Sequence, residues 1–176
     1  LLASVSVISE FFNLNKVNEK LFFDFSLPNS RGDFSKIRIS NKKLFLIDES
    51  YNSNPLSLEF AIKNFDSLKF KNKKKYLLLG DMLEMGKFSK TLHRNIAKII
   101  NKTSIDKVYV YGKDIKETYY AISPDKRGKI LNNINEIYNL IKNDLNNNDY
   151  LMIKGSNSTG LNKFVTKIKK ERINAL

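Results

Sequence analysis

The stretch Leu46–Phe60, LIDESYNSNPLSLEF, decides the fold. An apolar run ends at Ile47, a polar turn follows, and a helix starts at Pro55. Asn54 is a residue type that caps the free N–H groups of a helix start, and proline suits the first helical position, where no donor is needed. Leu58, Ala61, Ile62, Phe65 and Leu68 then recur at helical spacing and mark a face expected to be buried. A strand that runs straight into a helix is the building unit of an α/β fold. The turn between them holds more polarity than a turn and a cap require. Asp48, Glu49, Tyr51, Asn52 and Asn54 crowd it: turn and cap hydrogen bonds are one reading of Asp48 and Asn54, a ligand-facing role the other, and the longer Glu49 side chain reads as pointing to solvent.

The pattern extends in both directions. Upstream, KIRIS and KLFLID alternate in apolar and polar residues and read as a strand pair joined at Asn41–Lys42. Downstream, KYLLLG is a strand followed by a loop and a helix over Ser89–Ile100. KVYVYG is a strand followed by a helix near Asp114–Tyr120, and GKIL is a short strand followed by a helix over Asn133–Leu145. DYLMIKG is a strand followed by a helix over Leu161–Ile173. Apolar strands alternating with amphipathic helices predict an α/β fold, a Rossmann-like, mostly parallel sheet with helices on both faces. A short helical segment precedes it: Leu1–Phe12 suits a buried helix, and NKVNEKLFFDF a second one with Asn15 as its cap. SLPNSRGD, Ser26–Asp33, is turn-rich and reads as a linker.

Composition narrows the chemistry. The 176 residues suit one domain with an appended piece, and 41% hydrophobic residues suffice for an ordinary core. No apolar run approaches the ~20 residues of a spanning helix. The absence of cysteine excludes disulfides, thiolate metal sites and cysteine nucleophiles, and fits a reducing cytosol. One histidine without a paired partner gives no zinc-site spacing, and His93 beside Leu92 and Ile96 reads as packed or on the surface. The net charge of +13 favours anionic partners. The lysines are scattered, however, and their densest cluster, Lys69–Lys75, reads as a solvated loop. A basic nucleic-acid-binding module is therefore the weaker reading, since it needs clustered arginine and stacking aromatics.

In open α/β sheets ligands bind beyond the carboxyl ends of the strands. The loops leaving those ends are DESYNSNP, GDMLEMGKFS, GKD and KGSNSTG. They gather Asp48, Glu49, Asn52, Asn54, Asp81, Glu84, Lys113, Lys154, Ser156 and Asn157 along one edge. KGSNSTG lacks the GxxxxGK[ST] spacing of a phosphate loop. Gly80, Gly86, Gly112 and Gly155 permit tight turns. Arg31 in the linker offers a rigid, permanently charged fork suited to phosphate oxygens.

Taken together these loops resemble the C-terminal domain of the Mur ligases, most closely the branch that adds D-alanyl-D-alanine to UDP-N-acetylmuramoyl-tripeptide. LIDESYNSNPLS resembles that family's Asp-Asp-Ser-Tyr-Asn-x-Asn-Pro signature, with Glu49 in place of the second Asp. LLLGDMLEMGKFSKTLH resembles its Gly-Asp-Met-Leu-Glu-Leu-Gly loop, and MIKGSNSTGLNKFV its Lys-Gly-Ser loop. LPNSRGD is similar to its Gly-Arg linker, with Ser30 where Gly is usual. The match runs over nearly the whole chain in the same order.

The resemblance implies a cytoplasmic, ATP-dependent step of peptidoglycan synthesis. In it ATP phosphorylates a peptide carboxylate, the amine of D-alanyl-D-alanine attacks the acyl phosphate, and a peptide bond, ADP and phosphate result. It also implies roles. Arg31 would contact the ATP phosphates as the catalytic group of this chain, and Asp48 the ribose hydroxyls. Tyr51, Asn52 and Asn54 would shape the nucleotide edge. Asp81, Glu84, Lys154, Ser156 and Asn157 would face the amino substrate, with Lys154 holding the dipeptide carboxylate. No metal ligand is expected in this chain. The phosphate loop and magnesium ligands of the family's central domain have no counterpart here. Residues 1–27 are accordingly expected to be the end of that central domain and residues 28–176 the C-terminal domain, and the chain alone is expected to be inactive. The alternative within the class is another Mur-type or folylpolyglutamate-type ligase. Diaminopimelate-adding relatives usually show a histidine in the first turn, and none is present here.

Overall fold

A computed structural model describes residues 2–13, 30–39, 41–69 and 72–170. Its strands are β1 (Asp33–Ile39), β2 (Lys42–Glu49), β3 (Lys75–Gly80), β4 (Lys107–Tyr111), β5 (Arg127–Leu131) and β6 (Tyr150–Lys154). Its helices are α1 (Leu2–Phe11), α2 (Pro55–Ser67), α3 (Ser89–Ile100), α4 (Lys116–Ala121), α5 (Ile134–Asn143) and α6 (Leu161–Lys170). The strands form one six-stranded sheet in the order β1-β2-β6-β3-β4-β5. β1 and β2 are an antiparallel hairpin, and every other neighbouring pair is parallel. The α/β architecture expected from the alternation is the one found.

Strand periodicity divides the core in two, because successive side chains point to opposite faces. On one face Leu77, Leu79, Val108, Val110 and Met152 meet Leu58, Ile62 and Phe65 of α2 and Ile96 and Ile100 of α3. On the other, Leu44, Leu46, Leu78, Leu151 and Ile153 meet Ile137 and Ile141 of α5 and Phe164, Val165 and Ile168 of α6. After β5 the chain returns and inserts β6 between β2 and β3. The helices leaving β2 and β3 lie on one face and the helix leaving β6 on the other. Their divergence opens a crevice at the carboxyl ends of these three strands, the topological switch point at which such sheets bind ligands. The strand ends approach closely there: a Cβ on Gly80 would stand 2.7 Å from Leu161 Cδ1, and one on Gly155 3.0 Å from Gly80 Cα.

Helix α2 starts as its sequence predicts. The Asn54 side chain accepts from Ser57 N at 2.8 Å, and Ser57 Oγ accepts from Asn54 N at 3.1 Å, a reciprocal capping box. Asn54→Ala is expected to lower the unfolding free energy by about 1 kcal/mol and Asn54→Asp to retain most of it. Urea denaturation of the three proteins checks this, and equal midpoints would show that the cap contributes nothing.

Several expectations need correction. Leu68 is 40% exposed, because α2 ends at Ser67 and the backbone of Leu68 turns extended, off the helical face. Helix α1 forms, but Val7, Phe11 and Phe12 are exposed. Lys75 does not belong to a solvated loop. It opens β3, is buried, and donates to Asp66 O. Helix α4 starts two residues late, after an Asp114–Ile115 turn, and α5 stops at Asn143 with Asp144 as its cap. The helix proposed over NKVNEKLFFDF with its Asn15 cap, residues 26–29 of the linker and the last helix beyond Lys170 lie outside the described residues. No helix among the described residues is long and apolar enough to cross a membrane.

Candidate functional site

The linker residues Ser30–Gly32 dock against the end of β2. Gly32 N donates to Asp48 O at 2.9 Å and Tyr51 N to Ser30 O at 3.2 Å. Ser30 has φ 64 and Gly32 φ 81. A left-handed turn at residue 30 is a position that favours glycine. The serine here gains a compensating bond from its Oγ to Asp48 Oδ2, at 2.9 Å. Between these two residues Arg31 is exposed, and its guanidinium carbon lies 4.4 Å from the centre of the Tyr51 ring, a cation–π stack on a ring that is itself 44% exposed.

The two carboxylates at the end of β2 face opposite ways. Asp48 shares its face with Leu44 and Leu46 and is 1% exposed. Its Oδ1 accepts from Ser50 N and Oγ, at 3.1 and 2.6 Å. Its Oδ2 accepts from Ser30 Oγ and from Lys169 Nζ of α6, at 2.9 and 2.8 Å. No lone pair of Asp48 is presented to the crevice. Glu49 projects from the other face, is partly exposed, and stands 3.6 Å from Lys154 Nζ. It is not simply a solvent-facing residue.

Lys154, the last residue of β6, is 3% exposed and donates to Asn52 O at 2.9 Å. Burial pushes its pKa down, and the neighbouring Glu49 charge only partly offsets this. Its ammonium therefore lies beneath the β2–α2 loop, not in an open cleft. Asn52 turns its Oδ1 back on Ser53 N and is exposed.

The loop after β3 is built from inward bonds. The Asp81 carboxylate accepts from Lys113 N at 2.9 Å and Ile115 N at 2.7 Å, and so organises the β4–α4 turn. His93 is fully buried; Nε2 accepts from Met82 N at 2.9 Å, so the proton sits on Nδ1, which donates to Ser89 O at 2.8 Å. It is a packed residue, and at 4.0 Å from Asp81 it makes no ion pair in that tautomer. Ser156 joins three loops: its N donates to Asp81 O, its Oγ accepts from Leu83 N, and the same Oγ donates to Ser53 O. Glu84 is exposed with φ 66. Asn157 is exposed and accepts from Asn162 Nδ2.

Two adjoining clefts result, sharing Leu83 and Ser158. The smaller, about 210 Å³, is lined by Tyr51, Asn52, Glu84, Ser156 and Asn157. The larger, about 410 Å³, is lined by Asp81, Tyr111, Gly112, Lys113, Lys116 and Asn132 among others. Residues read from the sequence as nucleotide-side and amino-side thus meet in the smaller cleft, while Asp81 walls the larger. Asn54 serves as the α2 cap. Asp48 and Lys154 lie beneath the surface. Lys169 was not among the sequence candidates: its partner Asp48 is 121 positions away, and nothing local in an amphipathic helix marks it.

The family model for the Mur ligase, glutamate ligase domain matches residues 36–157. The chain is 32% identical over 148 residues to a UDP-N-acetylmuramoyl-tripeptide–D-alanyl-D-alanine ligase of Buchnera aphidicola subsp. Baizongia pistaciae, covering 83% of this chain and 31% of that one. It is 41% identical over 70 residues to the same-named ligase of Bacillus subtilis strain 168, covering 40% and 15%. Among solved structures, the MurF ligase of Thermotoga maritima in complex with ADP superposes with a TM-score of 0.75 at 19% identity, over 99% of this chain and 38% of that one. A MurF of Acinetobacter baumannii superposes at 0.65, also at 19% identity, over 84% and 31%. The chain spans about a third or less of the curated relatives it matches.

Proposed function

Since this chain belongs to the Mur ligase family and carries its glutamate ligase domain, we propose that it is the C-terminal part of an ATP-dependent peptide ligase joining D-alanyl-D-alanine to UDP-N-acetylmuramoyl-tripeptide. In this reading residues 28–176 are the C-terminal domain, residues 1–27 end a central ATPase domain, and the enzyme works in the cytoplasm on peptidoglycan precursors. The observation that carries it is an exposed, ring-stacked arginine on a turn docked at the end of β2, its Tyr51 support lining a cleft at the crevice where the sheet order switches.

ATP supplies the phosphoryl group that turns the tripeptide carboxylate into an acyl phosphate; attack by the dipeptide amine releases phosphate and leaves the peptide bond and ADP. This chain's residues bind and orient. The planar Arg31 fork suits the nucleotide phosphates, and the Tyr51 ring keeps it extended. The ribose hydroxyls fall to Glu49, not Asp48, because Asp48 is enclosed and bonded at both oxygens while Glu49 is partly exposed beside the turn that carries Arg31. Lys154 orients Glu49 and the Asn52 carbonyl from below. On the amino side, Glu84 suits the dipeptide ammonium and Lys113 its carboxylate, while Asp81 and Ser156 hold the loops that carry them. In this reading magnesium belongs to the central domain.

The test is substrate exchange in the ligase that contains this chain. ADP release should require both the UDP-linked tripeptide and D-alanyl-D-alanine, and meso-diaminopimelate should not replace the dipeptide. Turnover with meso-diaminopimelate and a shorter UDP-peptide would move the chain to another branch of the family.

A further inference from the structure

We propose that Lys169 is a positioning residue for the nucleotide end of the site. From α6 it fixes, through Asp33 and Asp48, the short turn that presents Arg31. The proposal rests on the phosphate-facing reading of Arg31 above.

Asp33 and Asp48 are directly opposite each other in the antiparallel β1–β2 pair. Like charges so placed repel and splay the strand ends. Lys169 Nζ lies between them, 2.6 Å from Asp33 Oδ2 and 2.8 Å from Asp48 Oδ2. Burial acts against its charge, but the bonds and charges of the two aspartates outweigh burial and hold its pKa above the ordinary lysine value. Among the described residues it is the one cation paired with Asp48. The Asp48 oxygen that Lys169 holds also accepts from Ser30 Oγ, and Asp48 O accepts from Gly32 N. Arg31 is thus tied on both sides to Asp48, one of whose carboxylate oxygens Lys169 holds. Ser30, a non-glycine residue held left-handed at φ 64, needs such ties. Without Lys169, Asp33 and Asp48 move apart and the turn loosens. Arg31 then loses its aim, while the larger cleft across β3 and β4 is untouched.

The experiment is steady-state kinetics of the ligase containing Lys169→Met, with Lys169→Gln as the milder variant should the first not fold, and Arg31→Ala as the control. Either Lys169 variant should raise KM for ATP about tenfold, the scale of a misplaced positioning group, with KM for D-alanyl-D-alanine within about twofold of wild type. Lys169→Arg, which can still bridge both carboxylates, should restore most of the ATP affinity. If Arg31→Ala raises KM for ATP and the Lys169 variant does not, or if the dipeptide KM rises equally, the inference is overturned while the reading of the site stands. If Arg31→Ala leaves kcat/KM for ATP unchanged, the reading of the site itself fails.

Discussion

Alanine at position 31 is expected to lower kcat/KM for ATP in the intact ligase by about 10²–10³-fold, the scale of removing one preorganised group from developing phosphoryl charge. The prediction follows from what Arg31 does and does not do in the fold. Among the described residues its side chain rests on the Tyr51 ring and holds no buried bond. It is exposed, so its loss should change the unfolding free energy by no more than about 0.5 kcal/mol. A large kinetic effect beside an unchanged melting curve is the signature of a group that acts on the reactants. Lysine at 31 keeps the charge but loses the planar fork and the stacking face, and should recover only part of the activity. Tyr51→Ala removes the support while leaving the guanidinium, and should cost about tenfold or less, mainly in KM for ATP. Rapid-quench measurement of acyl-phosphate formation separates this from a defect in amine attack. An Arg31→Ala ligase with normal ATP kinetics would remove the arginine from the site.

Much of this architecture could be read locally. Asn54, Pro55 and the apolar spacing of α2 place a helix start without tertiary help, and α3 runs over Ser89–Ile100, the range its sequence predicts. The edge on which the loops gather follows from strands alternating with helices. What could not be read depends on the return crossover. β6 inserts between β2 and β3, and only then does α6 cover one face of β2. That choice encloses Asp48 and leaves Glu49 accessible, although the two are adjacent and chemically alike. The same insertion makes Lys154 the end of a central strand and buries it, where a lysine before Gly-Ser reads from the sequence as a loop cation. Period-two alternation shows that Asp48 and Glu49 differ in face; it does not show which face meets the ligand. Ser30 is legible only in hindsight, since a left-handed serine carries no mark in its residue type.

Alanine at Gly112 is expected to destabilise the domain by about 3 kcal/mol, more than any other single methyl group added at its turns. Gly112 has φ 149, and its added Cβ would stand 2.5 Å from the Asp81 carboxyl carbon. That carboxylate cannot simply swing away, because it accepts from Lys113 N and Ile115 N on either side of it. Moving it leaves two backbone donors without their acceptor, at about 1–3 kcal/mol for each such group that stays buried. Asp81→Ala should by itself cost a comparable amount for the same reason, without any clash. The two substitutions share one cause and so should not add. In the Gly112→Ala/Asp81→Ala protein the clash partner is gone, and the double change should fall short of the sum by about 1–2 kcal/mol in a urea-denaturation cycle. Strict additivity would mean that residue 112 is strained by its backbone angle alone and that the carboxylate plays no part. The same cycle in the intact ligase should raise KM for D-alanyl-D-alanine and spare KM for ATP. Asp81 and Lys113 wall the larger cleft, whereas the turn that carries Arg31 is tied to Asp48 of β2, which Lys169 of α6 holds.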